Sequence, residues 1–262
     1  MIWDTSPVFF HIGSLEVRYY FLCFSITIFG GYALWRWQAK RGGYREKPWD
    51  ITILMLAVLI GSRLGHVLFY KPHYYFSHPA EILNFREGGL ASHGATIGLL
   101  LVLYYFSRRE NRAYLDTLDR FSFSVALGII MVRIGNFYNS EIVGRVSDAV
   151  WAIKFPRYDT GLSLADVPGR HPSQLYEAIL GALLLAVLLY VDRKYGERRP
   201  PGINTGLLFV IYFGGRFFLE YFKEYQAFST NSTGLTMGQY LSIPIVLAGV
   251  ILLYRIARGK AE

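Results

Sequence analysis

Residues Ile51–Tyr70 read ITILMLAVLIGSRLGHVLFY, a block with one full charge, Arg63, and one histidine, His66. As a helix rising about 1.5 Å per residue, the block matches the ~30 Å hydrocarbon core of a bilayer. Six further apolar blocks follow the same pattern: Tyr19–Trp37, Gly88–Phe106, Phe121–Phe137, Leu175–Val191, Ile203–Phe218 and Gly238–Ile256. The block Ile203–Phe218 is the shortest and can extend into Leu219–Phe222. Lipid offers the backbone no hydrogen-bonding partner, so only helices or closed barrels cross it, and no alternating pattern supports a barrel. The blocks predict an all-α integral membrane protein of about seven transmembrane helices, a single polytopic domain over 1–262.

Composition agrees with this reading. Hydrophobic residues make up 53% of the 262 residues and charged ones 18%, against about 45–50% and about 25% in soluble domains. That excludes a disordered chain, and a single cysteine excludes a disulfide-stapled one. Cys23 falls inside the first block, where it reads as a small apolar packing residue. A net charge of +8 suits either nucleic acid or an anionic membrane surface, and the placement of the cations decides between them.

Lys40, Arg41, Arg45 and Lys47 follow block one. Arg108, Arg109 and Arg112 follow block three, and Arg193, Lys194, Arg198 and Arg199 follow block five. Arg258 and Lys260 end the chain. The opposite connections hold Arg18, Lys71, Arg86, Arg145, Lys154, Arg157, Arg170 and Lys223, spread over longer loops, so the bias is 13 against 8. Basic loops stay in the cytoplasm. The N-terminus is therefore expected outside and the C-terminus inside, and the charge needs no nucleic-acid partner. Met1–Leu15 carries no Lys or Arg, so no cleavable signal peptide is expected. The longest connection, 138–171, predicts a small periplasmic cap in which Trp151–Phe155 forms a strand.

Charges inside a span are costly and point to a site. Arg63 and Arg216 lie about 18 and about 20 Å above the inner ends of their blocks, and Arg133 lies at a similar height. His93 sits near the outer end of block three and Tyr20 near that of block one. Tyr212 and Glu220 flank Arg216 by one turn on either side, and Arg63, His66 and Tyr70 share a helix face. Each could be a snorkelling or packing residue. Together they suit an anion at the outer interface, and guanidinium is the preferred partner of phosphate. Phospholipid phosphates lie at that depth.

The segment Arg133-Ile-Gly-Asn136-Phe-Tyr-Asn139-Ser-Glu141-Ile-Val-Gly144 resembles the signature Arg-x-Gly-Asn-Phe-x-Asn-x-Glu-x-x-Gly of the prolipoprotein diacylglyceryl transferase family, a bacterial phosphatidylglycerol-dependent family. His171-Pro-Ser-Gln-Leu-Tyr-Glu177 resembles that family's segment leading into a span. Ser92-His93-Gly94, Gly61-Ser-Arg63-Leu-Gly65, Tyr212-x3-Arg216-x3-Glu220 and Met237-Gly-Gln239-x2-Ser-Ile-Pro244 resemble others. The departures are Ala95 for a second glycine after His93, Val132 for the glycine before Arg133, Phe21 for the glycine after Tyr20, and Lys223–Gln226 for an Arg and Pro-Asp. Lost glycines alter how closely backbone or lipid can approach, but the charged set is intact. Read as residues, Gly135 and Gly144 suit a tight turn, Asn136 and Asn139 suit helix C-capping, and Gln174 and Tyr176 suit packing and capping.

The resemblance implies transfer of diacylglyceryl from phosphatidylglycerol to the lipobox cysteine thiol of a preprolipoprotein signal peptide. A thioether forms and glycerol phosphate leaves, at the outer leaflet of the bacterial cytoplasmic (inner) membrane. On this reading Arg133 and Arg216 hold the phosphate and stabilise the leaving group, and His93 is the general base for the thiol. Tyr20, Tyr212 and Asn136 contact the head group, Glu141 orients an arginine, and Gly144 permits close approach. Arg63 and Glu220 complete the substrate-binding set. No cofactor is expected. No metal is expected either, since His73 and His78 lack ligand spacing. The rival readings are another phospholipid-modifying enzyme, or an anion or lipid transporter. A transporter would usually show broken midplane helices and an inverted repeat, and neither is visible in the sequence.

Overall fold

The computed structural model describes residues 1–45, 47–84, 88–224 and 234–259. Arg86, Tyr225, Gln226 and Lys260, named above, lie outside the described residues. A hairpin of β1 (Val8–Ile12) and β2 (Leu15–Arg18) leads into α1 (Tyr19–Arg41), followed by α2 (Asp50–Phe69) and α3 (Pro72–Ser77). A 3₁₀ turn (Pro79–Leu83) precedes α4 (Ser92–Arg109) and α5 (Tyr114–Asn139). Then come β3 (Ile153–Lys154), β4 (Gly169–Arg170), α6 (Ser173–Tyr195), α7 (Ile203–Leu208), α8 (Gly214–Leu219) and α9 (Met237–Ala257).

Helical segments occupy each apolar block, except that α4 begins at Ser92 and leaves Gly88–Ala91 outside it. Among the described residues, five helical stretches are long and apolar enough to cross a membrane: Asp50–Phe69, Tyr114–Asn139, Ser173–Arg198, Ile203–Phe222 and Met237–Ala257. Helices α1 and α4 occupy their expected blocks but are more polar, ending in Lys40-Arg41 and Arg108-Arg109. The run Ile203–Phe222 is one rod whose middle opens into a π-helical turn at Phe209–Phe213. It continues to Phe222, the extension allowed by the sequence. π-turns gather at functional sites because they shift the register of the side chains that follow. Here the turn contains Tyr212 and directly precedes α8 with Arg216.

The described residues form two compact units, Met1–Trp37 with Asp119–Glu262, and Gln38–Leu118. In the first, Phe123, Ala126, Leu184, Leu188, Leu208 and Tyr212 form a buried core. A smaller core joins the end of α5 to the 138–171 connection through Phe137, Val143, Ile153 and Phe155, with Trp3 packed against it. Strands β3 and β4 pair antiparallel, Ile153 opposite Arg170, so the Trp151–Phe155 stretch does supply a short strand. Arg170 is clamped by Asp159 at 2.6 Å and Glu224 at 2.8 Å. The hydrogen bonds it donates to Asp159, with that to Glu224 adding to them, push its guanidinium pKa further up.

In the second unit α2 and α4 pack through glycines. A Cβ on Gly65 would lie 2.7 Å from the Gly94 Cα. Small residues permit this approach where lipid supplies no hydrophobic drive between helices.

Candidate active site

Helix α5 ends in a Schellman motif. Ser140 takes a left-handed conformation, its N–H donates to the Phe137 carbonyl, and the Glu141 N–H donates to that of Asn136. This turn folds the signature back on itself. The Nη1 of Arg133 donates to Oδ1 of Asn136 at 3.2 Å, and Nδ2 of Asn136 donates to Glu141 at 3.0 Å. Nδ2 of Asn139 reaches the other Glu141 oxygen at 3.1 Å. The two asparagines, expected as caps, thus act through their side chains as well. Among the described residues Glu141 has no direct ion pair, and it reaches Arg133 only through Asn136.

The start of α6 braces this turn. The Ser173 hydroxyl donates to the Ile142 carbonyl at 2.8 Å and Gln174 Nε2 to the Glu141 carbonyl at 2.7 Å. Both bonds restrain Ile142, held at φ +54°, a strained conformation for a β-branched residue. Gln174 therefore has a bracing part beyond packing. The Tyr176 hydroxyl joins Trp151 and His171, at 2.8 and 3.0 Å. Gly144 donates to the His171 carbonyl at 2.9 Å, and a Cβ there would sit 2.6 Å from the Phe222 carbonyl oxygen. Its close approach is to backbone on two sides. Gly135, expected in a turn, lies within α5, where a Cβ would be 2.9 Å from the Tyr20 ring. It lets α1 bring Tyr20 against the signature helix.

The centre of the arrangement is Glu177, fully buried on the first turns of α6. Its Oε2 pairs with Arg133 Nε at 2.8 Å and accepts from the Tyr212 hydroxyl at 3.5 Å. Its Oε1 pairs with the Lys223 ammonium. Arg216 Nη1 donates to the Tyr212 oxygen at 3.5 Å, and Lys223 also pairs with Glu220 at 3.3 Å. Arg133 and Arg216, on separate helices, are thus joined through one acid and one hydroxyl. Three cations, Arg133, Arg216 and Lys223, gather around the acids Glu177 and Glu220 in a largely buried setting, where clustered cations attract an anion. Gly238 and Gln239, at the start of α9, lie against this network. A Cβ on Gly238 would lie 3.0 Å from the Glu220 carboxylate, and Gln239 donates to the Phe217 carbonyl at 3.2 Å.

Arg63 and His93 belong to the second unit. Arg63 is buried and donates to the carbonyls of Glu81 (2.6 Å), Ile82 (2.8 Å), Gly88 (2.8 Å) and Gly89 (3.3 Å). Its guanidinium stacks on Tyr75, and His66 stacks on Tyr70. These bonds tie α2 to the connection that enters α4. His93 is exposed in the first turn of that helix.

The sequence reading passed over Glu177 and Lys223 as site residues. The signal for Glu177 was present, since an acid within an apolar helix falls under the rule that singled out the arginines. Nothing in the sequence paired it with Arg133.

These features can be set beside known proteins. Residues 7–255 match the family described as prolipoprotein diacylglyceryl transferase. A protein of Chloroherpeton thalassium named phosphatidylglycerol–prolipoprotein diacylglyceryl transferase is 37% identical over 97% of this chain and 94% of its own. One of the same name from Tolumonas auensis is 37% identical over the whole of both chains, and one from Bacteroides fragilis is 35% identical over 99% and 96%. A match of this reach, on a helical chain whose signature arginine is tied to a second arginine through Glu177 and Tyr212, identifies the chain as a multi-pass membrane protein of the prolipoprotein diacylglyceryl transferase family.

Proposed function

We propose that this protein transfers the diacylglyceryl group of phosphatidylglycerol to the lipobox cysteine thiol of a preprolipoprotein, the first step of bacterial lipoprotein maturation. The thiolate sulfur forms a bond to a glycerol carbon as the bond from that carbon to phosphate oxygen breaks, and glycerol phosphate leaves with the electron pair. The nucleophile comes from the substrate, so the enzyme needs no cysteine of its own.

Arg133 and Arg216 hold the lipid phosphate and stabilise the charge that develops on the leaving group. Glu177 and Tyr212 set the spacing of the two guanidinium groups. Asn136 and Glu141 fix the rotamer of Arg133, Tyr20 and Tyr212 contact the head group, and Glu220 balances Lys223. Gly144 lets the signature turn close on its neighbours. His93 takes the thiol proton, a task suited to an imidazole. Arg63 serves the site by holding the Gly88–Gly89 connection that leads into α4 and His93. The chain crosses the inner membrane seven times, with α1 and α4 among the spans, the N-terminus and the 138–171 cap outside and the C-terminus in the cytoplasm. Loop charge supports that orientation.

The observation that carries the reading is the junction of Arg133 and Arg216 at Glu177 and Tyr212. The test is mass spectrometry of a lipobox peptide incubated with the protein and phosphatidylglycerol. A diacylglyceryl thioether on the cysteine is expected. Anion flux into liposomes without such a product would favour a transporter instead.

A further inference from the structure

Away from these residues, the connections α1–α2 and α4–α5 enclose a hollow of about 430 Å³ lined by Gly43, Arg45, Lys47, Arg109, Glu110 and Arg112. All of it lies within the second unit. Four hydrogen bonds fix its walls. Arg109 grips Asp50 through both terminal nitrogens, at 2.6 and 2.9 Å. Glu110 accepts from Arg109 Nε at 2.8 Å and from the Arg45 backbone N–H at 2.9 Å. Gly43 and Asn111 hold the turns with φ of +72° and +51°, conformations that cost little for glycine and asparagine.

Among the described residues Asp50 and Glu110 are engaged by Arg109, so the lining of the hollow keeps a positive excess. Among the described residues no acid pairs with Arg45, Lys47 or Arg112. Lys47 lies 5.6 Å from the Trp49 ring and Arg112 5.6 Å from that of Tyr44. Trp49 is 54% exposed beside them, the habit of an aromatic ring at a membrane interface. Like charges held around a preformed hollow are most stable with an anion between them, and basic pockets at the cytoplasmic ends of spans suit lipid head groups.

We propose that this hollow binds the phosphate of an anionic phospholipid from the leaflet at its own face, the cytoplasmic one by loop charge. The site is separate from the transferase residues. Its occupant ties the two connections to the membrane surface.

The test titrates the full-length protein in zwitterionic detergent with tetraoleoyl cardiolipin, followed by native mass spectrometry. The variant R45Q/K47Q, whose side chains pair with no acid among the described residues, should bind the first cardiolipin about tenfold more weakly than the parent. R112Q should weaken it as well, while phosphatidylcholine should bind parent and variants alike. Thioether formation should stay within about twofold, because neither variant touches the candidate active site. Equal cardiolipin affinity in parent, R45Q/K47Q and R112Q would overturn the proposal. So would inorganic phosphate binding that the variants lose while cardiolipin affinity is unchanged, since that would mark a site for the free anion.

Discussion

The Nε of Arg133 lies 2.8 Å from Oε2 of Glu177, and both side chains sit at the level where Tyr212 and Lys223 reach the same carboxylate. A fully buried acid with cations on both of its oxygens cannot be removed cleanly, because the cations left behind repel one another in a medium that screens poorly. Glu177→Gln is therefore expected to cost about 3 kcal/mol of stability and to cut lipidation sharply. Thermal unfolding in detergent and the peptide assay measure the two effects. An unchanged melting temperature with turnover within twofold of the parent would refute the role given to Glu177.

Arg133 offers phosphate a planar fork, which an ammonium group does not. Arg133→Lys keeps the charge but loses the fork, and kcat/KM is expected to fall by about a hundredfold or more, with Arg133→Ala lower still. Near-parental turnover in either variant would remove Arg133 from phosphate binding.

Gly144 has backbone on both sides. Adding one methyl group places a carbon 2.6 Å from the Phe222 carbonyl oxygen, and that oxygen belongs to a fixed chain rather than to a side chain that could swing away. Gly144→Ala is expected to destabilise the signature turn by about 1–3 kcal/mol and to depress activity. Ser173→Ala, which frees the strained Ile142 carbonyl, should depress turnover in the same direction with a smaller loss of melting temperature. Full activity in both would show that the turn tolerates movement.

Arg63 separates positioning from direct binding. A lysine there could satisfy only part of the set of carbonyls at Glu81, Ile82, Gly88 and Gly89. Arg63→Lys should lower kcat with little change in the KM for phosphatidylglycerol, and hydrogen exchange should rise across residues 88–91. A raised KM with unchanged exchange would instead make Arg63 a direct phosphate ligand.

His93→Gln tests the proton acceptor. Neutral imidazole accepts a proton and an amide does not, so the variant should lose most of its rate while its KM for phosphatidylglycerol stays close to that of the parent. If turnover stayed within twofold of the parent, the base would have to be sought elsewhere.

The helices were legible in the sequence because lipid imposes one demand on the backbone, and long apolar blocks without strand alternation meet it as helices. The arginines were legible for the related reason that a charge in such a block needs a purpose. The partners were not legible. Glu177 and Arg133 are separated by 44 positions along the chain, and only packing of α6 beside α5 decides that they meet. The π-turn that shifts Tyr212 and Arg216, the helical position of Gly135 against Tyr20, and the commitment of Arg63 to backbone carbonyls were likewise decided by tertiary contacts. Periodicity and composition report each residue's preference for lipid or water. Which charge faces which depends on the register between helices, and no single stretch of sequence encodes that register.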